Sequence, residues 1–413
     1  MKNLTYLSLF AIVLLAACSS EKNQTIAQWR GDNRDGVYHE KNLLKTWPAE
    51  GPELLWETEI IGKGYGSPVV TDEVVYVNGE VDSISHLFAF NLNGKLIWKT
   101  PNGPEFFGNG FSSGYPGARS TPTVYKGSVY VSSGLGRIAC IDAQTGKELW
   151  TKHMVNDFGG IINEFGYCES LLVDEKLVYC FPGGSEKNVA ALDRFTGNVV
   201  WTSKAISDLV AFTSPILITL PERNLFVTIS RNNLFALDAL NGELLWAFKE
   251  DSFKWDGEYC NTPLYSDGFI YGISGIEKGT GAYKLQLAAD GKSIKEVWRN
   301  SQVKNGALGF VKIDDKIFTP TDSKKLMCLD GNTGLVVDTL KNMRGGLIFA
   351  DNQFYLYGDN GNMNLIGING MKMNLISKFK VEKGDKEHIA HPVIRNGVLY
   401  IRHGKALMAY QIK

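Results

Sequence analysis

The stretch IACIDAQTGKELW, residues 138–150, comes back as VAALDRFTGNVVW at 189–201 and as LFALDALNGELLW at 234–246. Each copy runs from an apolar strand-like segment through a polar turn to a tryptophan. In the first copy Asp142 can accept hydrogen bonds from the turn's backbone, Gly146 can take the positive φ the reversal needs, and Trp150 emerges on the strand that follows. A large flat ring at a fixed offset from a rigid turn is suited to insert between neighbouring sheets. Burying it removes roughly 200 Å² of apolar surface, worth several kcal/mol at about 25 cal/mol per Å² before entropy is subtracted. Trp98, Trp150, Trp201, Trp246 and Trp298 are therefore read as structural docking residues between sheets.

Around these copies, from residue 53 onward, short β runs alternate with Gly, Asn and Asp turns, and almost no segment has a 3.6-residue apolar period. Four-strand units begin near Ser67, Ser120, Cys168, Thr213, Asn261, Gly306 and Gly345, and a last one near Ala390 holds only three strands. PELLWETEI, residues 52–60, stands alone before the first unit and carries the familiar tryptophan. If this strand completes the last sheet, the ring has eight blades and no exposed first or last edge. The expectation is an all-β, eight-bladed β-propeller over residues 52–413. Pro68, Pro122, Pro215, Pro263 and Pro392 fit it, because proline is confined to strand starts and edges and each stands at the start of a unit's first strand.

The pattern of Ala, Asp, Thr-Gly and Trp resembles the tryptophan-docking motif of the pyrroloquinoline-quinone (PQQ) type propellers, a family that includes quinoprotein dehydrogenases and the outer-membrane assembly lipoproteins of the BamB type. Ala139, Asp142, Thr145, Gly146 and Trp150 match, as do Ala191, Asp193, Thr196, Gly197 and Trp201; in Ala236, Asp238, Gly242 and Trp246 the threonine is replaced by Asn241. Asp338 stands where a tryptophan is expected, and the seventh unit has lost the motif. The resemblance covers residues 53–413 and implies the fold; the motif itself is structural.

The first residues, MKNLTYLSLFAIVLLAACSS, give a basic start, a short apolar run and small residues before Cys18. LAAC is similar to the bacterial lipobox, which implies a signal peptide over 1–17, lipidation of Cys18 and, with Ser19 following, an outer-membrane lipoprotein facing the periplasm. Residues 18–51 read as an irregular, lipid-tethered arm. Its GDNRDG, 31–36, resembles a calcium loop but has Gly31 and Asn42 at ligand positions that need acids, so it reads as a turn. Charge is balanced, 43 basic against 44 acidic residues, which argues against nucleic acid or an anionic surface as a general partner. The other cysteines, Cys140, Cys168, Cys180, Cys260 and Cys328, are odd in number and widely spaced; four lie in strand-like runs, and at least one thiol is expected to stay free.

No catalytic motif is legible. The chain has no adjacent cysteine pair, no CxxCH haem site, no GxSxG and no phosphate loop, and its histidines form no metal pattern beyond the loose pair His388 and His391. No position matches the quinoprotein catalytic aspartate. No cofactor is expected; PQQ with calcium, serving an oxidoreductase of alcohols or sugars, is the alternative that the family resemblance keeps open. A propeller places the residues before each first strand around one channel mouth: Tyr65, Arg119, Tyr167, Glu169, Tyr259, Asn305, Arg344 and His391 form the candidate binding face. Two long connections on that side, 101–119 and 153–167, carry Phe and Tyr among glycines. A non-catalytic scaffold binding another envelope protein is the expectation, with the β-barrel assembly machinery implied by resemblance; a glycan or small-molecule binding propeller is the other alternative.

Overall fold

The computed structural model describes residues 26–249, 260–275 and 280–413. Their strands form eight sheets, each built on four antiparallel strands, with a fifth, parallel strand added to one of them. Blade 1 spans Val69–Val70 to Leu96–Pro104, blade 2 Thr123–Tyr125 to Glu148–His153, blade 3 Leu172–Val173 to Val199–Ser203, and blade 4 Ile216–Thr219 to Leu244–Lys249. Blade 5 spans Leu264–Ser266 to Ile294–Asn300, blade 6 Val311–Ile313 to Val336–Lys341, and blade 7 Gly345–Ala350 to Lys372–Lys380. In blade 8 the strand Leu54–Thr58 pairs antiparallel with Ala406–Gln411, so the N-terminal strand closes the ring. The first strands of blades 1, 2, 4, 5 and 8 each begin one residue after the proline that marked the unit.

Each docking tryptophan reaches forward to the following blade. The indole N–H groups of Trp56, Trp98, Trp150, Trp201, Trp246 and Trp298 donate to the carbonyls of Leu92, Ala143, Arg194, Ala239, Gly291 and Gly331 at 2.7 to 3.2 Å. The ring lies flat on the next turn: a Cβ added at Gly146, whose φ is +72°, would come within 2.6 Å of the Trp98 ring. Glycine is needed there both for the dihedral and for the space. One residue of every outer strand is bulged out of the ladder, and where the strand carries a tryptophan the bulge lies just before it, as Leu149 does between Glu148 and Trp150. Such bulges blunt the outer edges against pairing with another chain.

Two seams are built differently. From blade 6 to blade 7, Asp338 accepts the Met373 N–H at 2.7 Å where a tryptophan would have docked. From blade 7 to blade 8 the filler comes from the arm: Trp47 is buried edge-on against Tyr355 and Phe379, in a cluster that includes Leu43, Ile401, Met408 and Tyr410.

The arm is thus part of the ring, and its earlier residues fill the axis. Ala27 bridges antiparallel to Val124 of the innermost strand of blade 2, and Val37–Tyr38 runs parallel to Gly345–Ala350 as a fifth, innermost strand of blade 7. Between them GDNRDG makes a tight turn, with Arg34 N–H donating to Gly31 O and Gly36 N–H to Arg30 O. Three of the five described cysteines, Cys140, Cys180 and Cys328, are buried within strands; Cys168 and Cys260 precede the innermost strands of blades 3 and 5, which corrects the reading of four in strands. All five are free thiols. The expected signal peptide over 1–17 and the expected lipidation site, Cys18, lie outside the described residues.

Candidate functional site

The turn at the axis presents two arginines to opposite sides of the ring. Arg34 donates to the carbonyls of Ser170 at 2.8 Å, Leu171 at 2.7 Å and Pro215 at 3.1 Å, and its Nε to Gln28 Oε1 at 2.7 Å. Arg30 donates to Phe310 O at 2.6 Å, on the blade 6 side. Both are fully buried, and desolvation lowers them to about 9 and about 10, so both keep their charge at neutral pH. Innermost strands leave carbonyls unpaired at the axis, and a planar guanidinium can satisfy several at once. Arg34 ties blades 3 and 4 in this way; Gly36 gives the room on the other side, since a Cβ there would overlap Arg30.

Above this plug lies a cavity of about 380 Å³ at the channel mouth. Trp29, Tyr65, Phe111, Tyr115, Phe165, Phe212 and Ile389 give it apolar walls, and Arg119, Arg344, Asp322, Thr121, Ser67, Ser170 and Ser214 give it polar groups. The Arg119 guanidinium sits 4.9 Å from the Tyr65 ring centroid and 5.2 Å from that of Phe165, and donates to Tyr115 O. Arg119 makes no ion pair among the described residues. Tyr65 donates its hydroxyl to Glu387 at 2.9 Å, and Arg344 is shared between Asp322 at 3.2 Å and Asp359 at 3.4 Å. Phe111, on a helical turn over Gly110–Gly114, is 67% exposed beside Tyr115 and Phe165.

Of the face expected from the sequence, Tyr65, Arg119, Arg344 and His391 come together around this cavity. Tyr167, Glu169 and Asn305 sit in the wall behind it. Tyr167 donates its hydroxyl to Pro182 O at 2.8 Å, and Asn305 is fully buried, donating to Gly309 O and accepting from Leu308 N–H. Glu169 accepts the Phe181 N–H at 2.9 Å, while its Oε2 is buried with no partner; burial pushes its carboxyl up to about 7, opposed by the Phe181 hydrogen bond and Arg34. His391 packs edge-on to Trp29 and faces Leu308 O through Nε2, and burial, with Arg30 adding, pulls it down to about 3. His388 stacks instead on His403, so the histidine pair does not converge. Tyr259 lies outside the described residues. Trp29 and Phe212 were missed, as was the arginine plug: none belongs to the repeat, and only the density of Trp, Arg and Gly in QWRGDNRDG, 28–36, could have drawn attention to it.

A family model described as outer membrane protein assembly factor BamB matches residues 85–337. The chain belongs to the BamB family. The match runs through the regular units and stops short of blades 7 and 8. A BamB from Shewanella oneidensis is 24% identical over 302 residues, which are 70% of this chain and 66% of that protein, just under two thirds of its length. The crystal structure of BamB from Moraxella catarrhalis superposes with a TM-score of 0.62 at 12% identity, covering 87% of this chain and 100% of that one. A europium-containing methanol dehydrogenase superposes at 0.67 with 13% identity, over 92% of this chain and 90% of the enzyme. At such identities the two superpositions establish the shared propeller alone.

The quinone that enzymes of this fold carry can be tested against the side chains present. Among the described residues no three His, Cys, Asp or Glu side chains converge as a cation's ligand set. The acid that lines the cavity, Asp322, is already committed to Arg344 and the Gly306 N–H. The axis beneath is filled by Arg30 and Arg34. These residues do not fit a calcium-held quinone.

Proposed function

We propose that this BamB-family chain is a lipid-anchored, non-catalytic scaffold of the bacterial envelope, held to the outer membrane through Cys18 and facing the periplasm, and that the aromatic collar of the channel mouth grips a protein partner in the β-barrel assembly machinery. The observation that carries this reading is the collar itself. Phe111, Tyr115, Phe165 and Phe212 are a connected set of rings, the first three on Gly-rich loops, partly exposed over a rigid ring whose axis is blocked. Aromatic groups at a rigid mouth are what a protein interface uses as anchors. The test is a photoactivatable phenylalanine at position 111 in living cells. Adducts to a subunit of the assembly machinery are expected; adducts to none of its subunits would overturn the partner.

A second reading, a small glycan in the cavity, is favoured by Trp29 and Tyr65 lying beside the hydroxyls of Ser67, Thr121 and Ser170. A saccharide titration read by tryptophan fluorescence decides between the two. Saturable, calcium-dependent binding of PQQ with dye reduction would overturn the scaffold reading outright.

A further inference from the structure

With Cys18 lipid-modified, as proposed above, the exit of the arm decides which face of the ring meets lipid. Ala27 pairs antiparallel with Val124, exchanging both backbone hydrogen bonds, so the chain before it leaves beside the turn that follows Tyr125. First strands run from the cavity to such turns; the arm therefore reaches the axis from the face opposite the cavity. Cys18 stands eight residue steps before Ile26, a reach of at most about 29 Å at ~3.6 Å per residue. To bring the cavity face to the membrane, the tether would have to pass outward under a four-strand blade, about 15 Å at ~4.8 Å per strand, and then climb the rim, about 20 Å for a six-residue strand. That path is longer than the tether.

The face that the tether leaves from carries protruding apolar side chains. Phe195 is 64% exposed, Leu240 80% and Leu335 65%, each in or beside a turn joining the third and fourth strands of blades 3, 4 and 6. In blade 2 the residue equivalent to Phe195 and Leu240 is the polar Gln144. Leu240 and Leu335 bury little of themselves, and Phe195, although its ring packs on the Arg194 guanidinium at 3.9 Å, still keeps most of its surface exposed; large apolar residues at such turn tips suit the headgroup and acyl boundary of a bilayer.

We propose that this face rests on the phospholipid leaflet through Phe195, Leu240 and Leu335, with the aromatic cavity turned away from the membrane. The full lipidated chain, reconstituted into phosphatidylethanolamine and phosphatidylglycerol vesicles containing a diazirine-bearing phospholipid, is irradiated and its adducts are mapped by mass spectrometry. Adducts at the 195, 240 and 335 turns are expected, at least fivefold above those at Phe111–Tyr115. In the double variant Phe195→Ser, Leu240→Ser, adducts at those two turns fall to background while the chain stays on the vesicles. Adducts concentrated at 111–115, or absent from all three turns while the intact mass shows a lipid on Cys18, overturn the docking alone. A Cys18 without lipid, found in the same mass spectrum, overturns the tether and the docking with it.

Discussion

The seams between blades 1 and 6 and the two seams that flank blade 7 hold the same kind of neighbours together with different chemistry. In the first group a tryptophan donates to a backbone carbonyl of the next blade and, at every seam but that between blades 4 and 5, lies on that blade's turn glycine, as Trp201 does with Ala239 O and Gly242. In the second, Asp338 accepts a single backbone N–H, and Trp47 arrives from a segment hundreds of residues earlier. The second group has lost the motif without losing its tryptophan-sized filler at the seam with blade 8. A repeat can drift where something outside the repeat takes over its load, and the drifted blade is the one to which the arm adds a strand.

If that account holds, Trp47→Ala and Trp201→Ala are equivalent injuries. Each is expected to cost about 3–5 kcal/mol in denaturant unfolding, the usual range for emptying a buried aromatic site. A Trp47→Ala variant as stable as wild type would break the comparison, leaving the arm as a passenger.

The two ends of the axial turn sharpen it further, because their titrations have opposite signs. Glu169, beside Arg34, titrates at about 7 when folded and at about 4.3 unfolded. The folded chain keeps the extra proton between those values, so stability falls as pH rises through that window. His391, beside Arg30, titrates at about 3 when folded and at about 6.5 unfolded. Here the unfolded chain holds the extra proton, so stability falls as pH drops below about 6.5. Glu169→Gln should remove the first loss, on the order of 2 kcal/mol between pH 4.5 and 7.5, and His391→Gln the second; urea midpoints across pH read both. An unchanged pH profile in Glu169→Gln would mean that the buried carboxyl is solvated after all.

The smallest effect belongs to the seam where Asp338 takes the Met373 N–H and the exposed Lys372 ammonium. Asp338→Ala is expected to cost about 1–2 kcal/mol, a buried N–H left without its acceptor. Asp338→Trp, facing a blade 7 turn that lacks the Asp-x-x-Thr-Gly pattern, should be no better than alanine; a gain in melting temperature would show that the docking slot survives at blade 7.

What could be read in the sequence was what repeats. The Asp-x-x-Thr-Gly turn and its tryptophan recur at a fixed offset, so the blade count, the closure by Leu54–Thr58 and the docking role of the tryptophans are legible from spacing, whereas the direction in which each reaches is not. Blade boundaries followed from the prolines for the same reason. The candidate site was legible only in outline. Position before a first strand located Tyr65, Arg119, Arg344 and His391, but the same rule also collected Tyr167 and Asn305, whose polar atoms turn into the wall. Spacing places a Cα, and rotamer and neighbours decide which way the side chain faces. The plug escaped altogether, because Arg30 and Arg34 each occur once, and both stand at positive φ, 58° and 59°, where no periodicity announces them.

The strand that closes the ring sets the order in which the molecule can be made. Leu54–Thr58 is synthesised before any complete blade, yet its partner Ala406–Gln411 is the last strand of the chain. Until that partner is delivered, the first strand has an unpaired edge and the axial turn has no completed wall to lock it. Contacts of such long separation make closure slow and leave an exposed edge meanwhile. The ring therefore cannot close before Ala406–Gln411 is made, and a cut anywhere near residue 406 would leave Leu54–Thr58 without its partner strand as well.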